Sequence, residues 1–78
     1  MSIASSGSAA AVTPNDSTDL TGGVTRGLYV GVSGDVNVDM EDGETVLFTA
    51  MAAGIVHPLR VLRVRSTSTT ATNIVALY

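Results

Sequence analysis

Five of the seven carboxylates in this 78-residue chain, Asp35, Asp39, Glu41, Asp42 and Glu44, fall within ten consecutive positions. That density is what a calcium loop or a glycosidase pair would draw on. A calcium loop spaces its oxygen ligands regularly so that they converge on one ion, and Asp39-Met40-Glu41-Asp42-Gly43-Glu44 lacks that order. A glycosidase pair needs a cleft that raises one pKa, which a turn built on Asp42-Gly43 does not offer. The acids read as the solvated tip of a hairpin. His57, the one histidine, precedes Pro58. A general base needs a nucleophile and an orienting group, and the sequence nominates neither. The Ser/Thr-rich stretch 66–72 lacks an activating neighbour and reads as a turn. Gly22-Gly23 and Gly31-Val32-Ser33-Gly34 do not form a phosphate loop, since no Lys and no following helix accompany them. The chain has no cysteine, which removes disulfides and thiolate metal sites. No catalytic, cofactor-binding or metal-ligating residue is nominated, and an enzyme is not expected.

The informative charges are basic. All four are Arg, and Arg60, Arg63 and Arg65 cluster late, whereas every acid lies at or before Glu44. Arg suits planar, bidentate pairing with carboxylates. The trio therefore pairs either with the hairpin acids of the same chain or across a subunit interface. A net charge of −3 excludes a non-specific nucleic-acid binder, which needs a basic stripe.

These side chains must be positioned by strands. Residues 28–48 read as three short strands joined by two tight turns, at Ser33-Gly34-Asp35 and at Glu41-Asp42-Gly43-Glu44, with Gly43 supplying positive φ. Period-2 alternation places strands at 26–32, 36–40 and 45–50. Residues 51–55 read as a connecting loop. In 59–64 alternation fails, which implies a strand partly covered on both faces with a partner for each Arg. The run Ile74-Val75-Ala76-Leu77-Tyr78 reads as a strand buried on both faces. The fold expected is all-β: a small antiparallel sandwich or barrel of about five to seven short strands. Residues 1–23 read as a flexible N-terminal arm and loop and 24–78 as the β domain. Within the arm, Ala11-Val12-Thr13 is a candidate edge strand stopped by Pro14, and Asp16 a candidate Asx-turn. No secretory signal and no membrane span is read from the chain.

A domain this short buries only roughly 60% of its unfolded surface and needs help that cysteine-free chains find in oligomers. Apolar residues are 45% of the chain and charged ones 14%, low enough in charge that part of the surface is expected to meet another subunit. Candidate interface residues are Arg60, Arg63, Arg65, Ile74, Val75, Leu77 and Tyr78.

The stretch Thr13-Pro14-Asn15-Asp16-Ser17-Thr18-Asp19-Leu20 resembles a known family, as does Arg26-Gly27-Leu28-Tyr29-Val30-Gly31 leading to Gly34-Asp35. So do Pro58-Leu59-Arg60-Val61 to Val64 and the ending Thr69-Thr70-Ala71-Thr72-Asn73-Ile74-Val75-Ala76-Leu77-Tyr78. The family is the spike-base proteins of gene transfer agents and tailed phages of alphaproteobacteria, and the likeness covers nearly everything after Val12. It implies a virion structural protein on the outer surface of the head, made in the bacterial host cytoplasm. Its implied partners are copies of itself (a pentamer at vertices, with a trimeric decoration protein second), the major capsid protein, and a spike or fibre. The arm residues Ile3, Val12, Pro14 and Leu20 are candidates for docking on the capsid. No cofactor, nucleic acid or membrane is implied. A small carbohydrate-binding module is a further alternative, opposed by the aromatic set of Tyr29, Phe48 and Tyr78 without any Trp.

Overall fold

The period-2 segments do form strands. A computed structural model describes residues 7–78, with strands β1 (Ala9–Ala11), β2 (Gly27–Val32), β3 (Gly34–Met40), β4 (Thr45–Met51), β5 (Val56–His57), β6 (Val61–Arg65) and β7 (Thr72–Leu77). Every pairing is antiparallel. One sheet has the order β1-β7-β2-β5 and the other β4-β3-β6. Leu28, Val30, Ile74 and Ala76 from the first sheet meet Val36, Val38, Met51, Val61 and Val64 from the second in one core. The expected small antiparallel sandwich is therefore what forms, and no helix occurs among the described residues. Burying each of the Val, Leu, Ile and Met side chains contributes about 1.5–3 kcal/mol.

The central stretch is not a three-stranded meander. β2 and β3 lie in different sheets, so the turn at Ser33 is a corner that carries the chain across the sandwich. Gly34 fits that corner because a Cβ there would lie 2.6 Å from the Ala71 nitrogen and 2.9 Å from its Cα. The second turn is a hairpin, as expected. Gly43 adopts φ 94°, its N–H donates to the Met40 carbonyl at 2.9 Å, and the Met40 N–H donates to the Glu44 carbonyl at 2.7 Å. A three-residue loop with Gly in the left-handed region matches the twist of the strands it joins.

β3 is flanked by two irregular partners. Its pairing with β6 shifts between Asp39↔Arg63 and Met40↔Val61, leaving Leu62 as an extra residue. The bulge explains the broken alternation in 59–64: it resets the parity, so that Val61 and Val64, three apart, both point into the core. On the other side, Val36↔Phe48 is followed by Gly34↔Met51. There Ala50 takes φ 53° and its N–H donates to Asp35 Oδ1 at 3.0 Å.

Two short elements escape the period. Val56–His57 adds a two-residue edge strand beside β2, and the first strand is Ala9–Ala11 rather than Ala11-Val12-Thr13. Residues 12–26, of which 12–23 are expected from the sequence to belong to the arm and loop, are tied to the sandwich. The N–H groups of Val12, Asn15, Leu20 and Thr25 donate to the carbonyls of Ile74, Val64, Leu62 and Val61. Thr25, fully buried, donates its hydroxyl to the Leu59 carbonyl at 2.8 Å and accepts from the Val61 N–H at 3.1 Å. The physical reason is that β6 would otherwise end the sheet with unmet backbone groups beside the core.

Gly34→Ala should destabilise the protein by about 1–3 kcal/mol, as overpacking does, read as a lowered midpoint in urea unfolding. An unchanged midpoint would remove the tight corner from this account.

Candidate functional site

The two sheets present opposite chemistries outward. On the β4-β3-β6 sheet, register sets Asn37 beside Arg65 and Asp39 beside Arg63. Asp39, whose side chain is only 13% exposed, accepts from Arg65 Nε at 2.8 Å and from the Thr45 hydroxyl at 2.6 Å, and lies 3.5 Å from Arg63 Nη1. These bonds, with that of Arg65 foremost, then that of Thr45 and the two guanidinium charges, hold the Asp39 carboxyl below its ordinary value. Arg63 also holds Asp19 at 2.8 Å and donates to the Asp16 carbonyl at 3.0 Å. Arg60 forks onto Glu41 through Nε at 3.0 Å and Nη2 at 2.8 Å, which lowers the Glu41 pKa chiefly through the hydrogen bond. All three arginines are therefore partnered within the chain, each by a hairpin acid and Arg63 also by the N-terminal loop.

Four of the five acids of the candidate cluster are engaged separately. Asp35 caps Ala50, Asp42 accepts from the Glu44 N–H at 3.0 Å, and Asp39 and Glu41 hold arginines. Asp16 does not form the Asx-turn. Asn15 does, accepting from the N–H groups of Ser17 and Thr18 at 2.8 and 3.1 Å. Asp16 reaches instead across the fold to the N–H and hydroxyl of Thr67, at 3.0 and 2.6 Å, and those bonds lower its pKa. The Ser/Thr stretch 66–72 is more than a turn. Thr70 Oγ1 accepts from the Asp35 N–H at 2.9 Å and Thr69 Oγ1 from the Asn37 N–H at 3.0 Å, so hydroxyls complete β3 where β6 has ended. His57 Nε2 sits 2.9 Å from the Ala52 carbonyl, a contact local to the β4–β5 connection.

The outer face of the β1-β7-β2-β5 sheet is uncharged. Register aligns Ala9 with Leu77, Ala11 with Val75 and Val75 with Tyr29, and Tyr29 with the exposed Val56. Of the C-terminal candidates, Val75 and Leu77 face outward and are half-buried. Ile74 is a correction: it is 3% exposed and belongs to the core, because strand alternation sends it inward. β7 is thus covered on one face by its own sandwich. The Tyr78 ring lies directly over Gly22, where a Cβ would collide with it. Of the arm candidates, Val12 and Leu20 pack against the core, Pro14 is half-buried, and Ile3 lies outside the described residues. What the sequence could not nominate is the hydroxyl set Thr25, Thr69 and Thr70, whose partners are remote in the chain.

Because the folded pKa of Asp39 is lowered, its contribution is present above the ordinary value of 3.8 and is lost as pH falls through the depressed folded value. Asp39→Asn should cost roughly 1–2 kcal/mol at pH 7 in denaturant titrations, and the gap to wild type should close on acidification. A gap that stays constant with pH would show that the carboxylate charge is not the cause.

No protein-family model matches the chain, and no curated protein does. Among solved structures it is similar to a chain from the "Capsid of native GTA particle computed with C5 symmetry", GTA denoting a gene transfer agent. The identity is 38%, the TM-score 0.83, and the alignment covers 95% of this chain and 84% of that one. A likeness of that identity and extent leaves little of either chain unmatched, so this protein belongs to the family of that gene transfer agent capsid chain and is a capsid-associated virion structural protein.

Proposed function

We propose that this protein forms a homopentameric base on the outer surface of the head, at capsid vertices, where it anchors a spike or fibre and catalyses no reaction. The observation that carries the reading is the likeness to a capsid chain from a particle treated with C5 symmetry, since five-fold axes of a closed shell pass through its vertices. The molecule fits such a role. Its uncharged face, around Val75, Leu77 and Tyr29, is available to a neighbour, while Arg60, Arg63 and Arg65 are paired with acids of the same chain and leave the opposite face polar. The major capsid protein lies below and the spike or fibre above in this arrangement. Five copies bound side by side turn weak individual contacts into durable attachment, because each further contact forms at a high effective concentration.

Native mass spectrometry of the full-length protein should give a mass five times that of one chain. Added to heads that lack it, labelled protein should appear at vertices only. A trimer that spreads over the whole head would replace this reading with that of a decoration protein, and a protein that stays monomeric and ignores heads would end it.

A further inference from the structure

A sandwich has four lateral edges, and three of them here are obstructed or short. The outer edge of β6 is sealed by the N–H groups of Asn15, Leu20 and Thr25. β5 is two residues long and runs into Pro58. β1, three residues long, pairs among the described residues only with β7. β4 is different. It is seven residues long, carries no charge and no Pro in Thr45-Val46-Leu47-Phe48-Thr49-Ala50-Met51, and among the described residues pairs only with β3. The Met40–Glu44 bond and the pairs Val38↔Val46 and Val36↔Phe48 turn the backbones of Glu44, Val46 and Phe48 toward β3. The N–H and C=O groups of Thr45, Leu47 and Thr49 therefore point outward. Long uncharged edges are the ones proteins normally blunt, and those left open invite another strand.

We infer that the β4 edge of one copy pairs with the β1 edge of the next, joining the sandwiches head to tail into a ring. This rests on the oligomeric reading above and names the contact. On β1, the Val12–Ile74 bond and the pair Ala10↔Ala76 turn Ala10 and Val12 toward β7, so Ala9 and Ala11 present their backbone groups outward. The two edges lie on opposite flanks. β4 and β5 share one flank, joined by the short 52–55 connection whose Gly54 donates to Val30 on β2. β1 and β6 share the other, where residues 10–12 and Val64 line a common cleft. A ring needs two different surfaces on opposite sides of each subunit, whereas a two-fold dimer would use one surface twice. The alanines of β1 also allow close approach of a second strand.

Pro at position 47 or 11 removes an outward N–H that takes no part in the ladders within the chain. Leu47→Pro and Ala11→Pro should each sediment as single chains while keeping the wild-type circular dichroism, where wild type forms the ring. Mixed together they should give a one-to-one dimer and nothing larger, because the mixture restores one β4–β1 junction and no second. Leu47→Lys, which places a charge on the edge without changing the backbone, should also disperse the ring and serves if Leu47→Pro fails to fold. Rings that persist in folded Leu47→Lys and Ala11→Pro would overturn the contact while leaving the oligomer intact. Association of Ala11→Pro alone would overturn it in favour of β4 pairing with itself. Wild type that is monomeric both free and on heads would remove the oligomeric reading, and this contact with it.

Discussion

The backbone groups along the outer edge of β6 set the constraint that this molecule is built around. β6 carries two of the core valines, Val61 and Val64, yet it ends its sheet. Peptide groups left unmet beside an apolar core cost more than a net hydrogen bond contributes. The chain meets this with residues 12–26, which run past β6 and place backbone donors and the Thr25 hydroxyl where a fourth strand would stand. That path also puts Asp19 and the Asp16 carbonyl within reach of Arg63 and lays Gly22 beneath the Tyr78 ring. The outer edge of β6 is thereby closed by main chain, while the outer edge of β4, on the other flank, pairs with no strand among the described residues. The asymmetry is a property of the protomer before any assembly is considered.

Charge placement follows the same division. Asp39 sits between Arg63 and Arg65 on a sheet whose register forces all three onto one face. Partly shielded pairing of this kind fixes side chains more than exposed pairs do, and the more exposed Arg60–Glu41 fork adds little by comparison. The surface left without charges is the face containing Val75, Leu77 and Tyr29. That face comes from the alternation of β7, with Ile74 and Ala76 inside and Val75 and Leu77 outside.

The strands whose alternation is unbroken could be read directly. Val36 and Val38 marked β3, Val46 and Phe48 marked the start of β4, and Asp42-Gly43 marked the hairpin between them. The reading failed where parity is reset or where pairing is remote. Leu62 breaks the period of β6 because a bulge, which has no residue signature of its own here, shifts it by one. The Ser33 corner resembles a hairpin turn because Gly serves both, and only the position of Ala71 shows which one it is. Val56–His57 is too short to have a period. The roles of Thr25, Thr69 and Thr70 depend on partners more than thirty positions away in sequence, which spacing cannot reveal. The arginines were recognised as needing carboxylates, and the fold supplies carboxylates from the same chain. Family likeness supplied the capsid, which no residue pattern in the chain encodes.

The central claim is that this capsid-associated chain is a ring at vertices. The most direct test is cryo-electron microscopy of intact particles reconstructed without imposed symmetry. Density fitting the two-sheet sandwich in five copies around a vertex, outside the shell, is the result expected. The same sandwich found away from vertices, or in any other number of copies around them, would contradict the account.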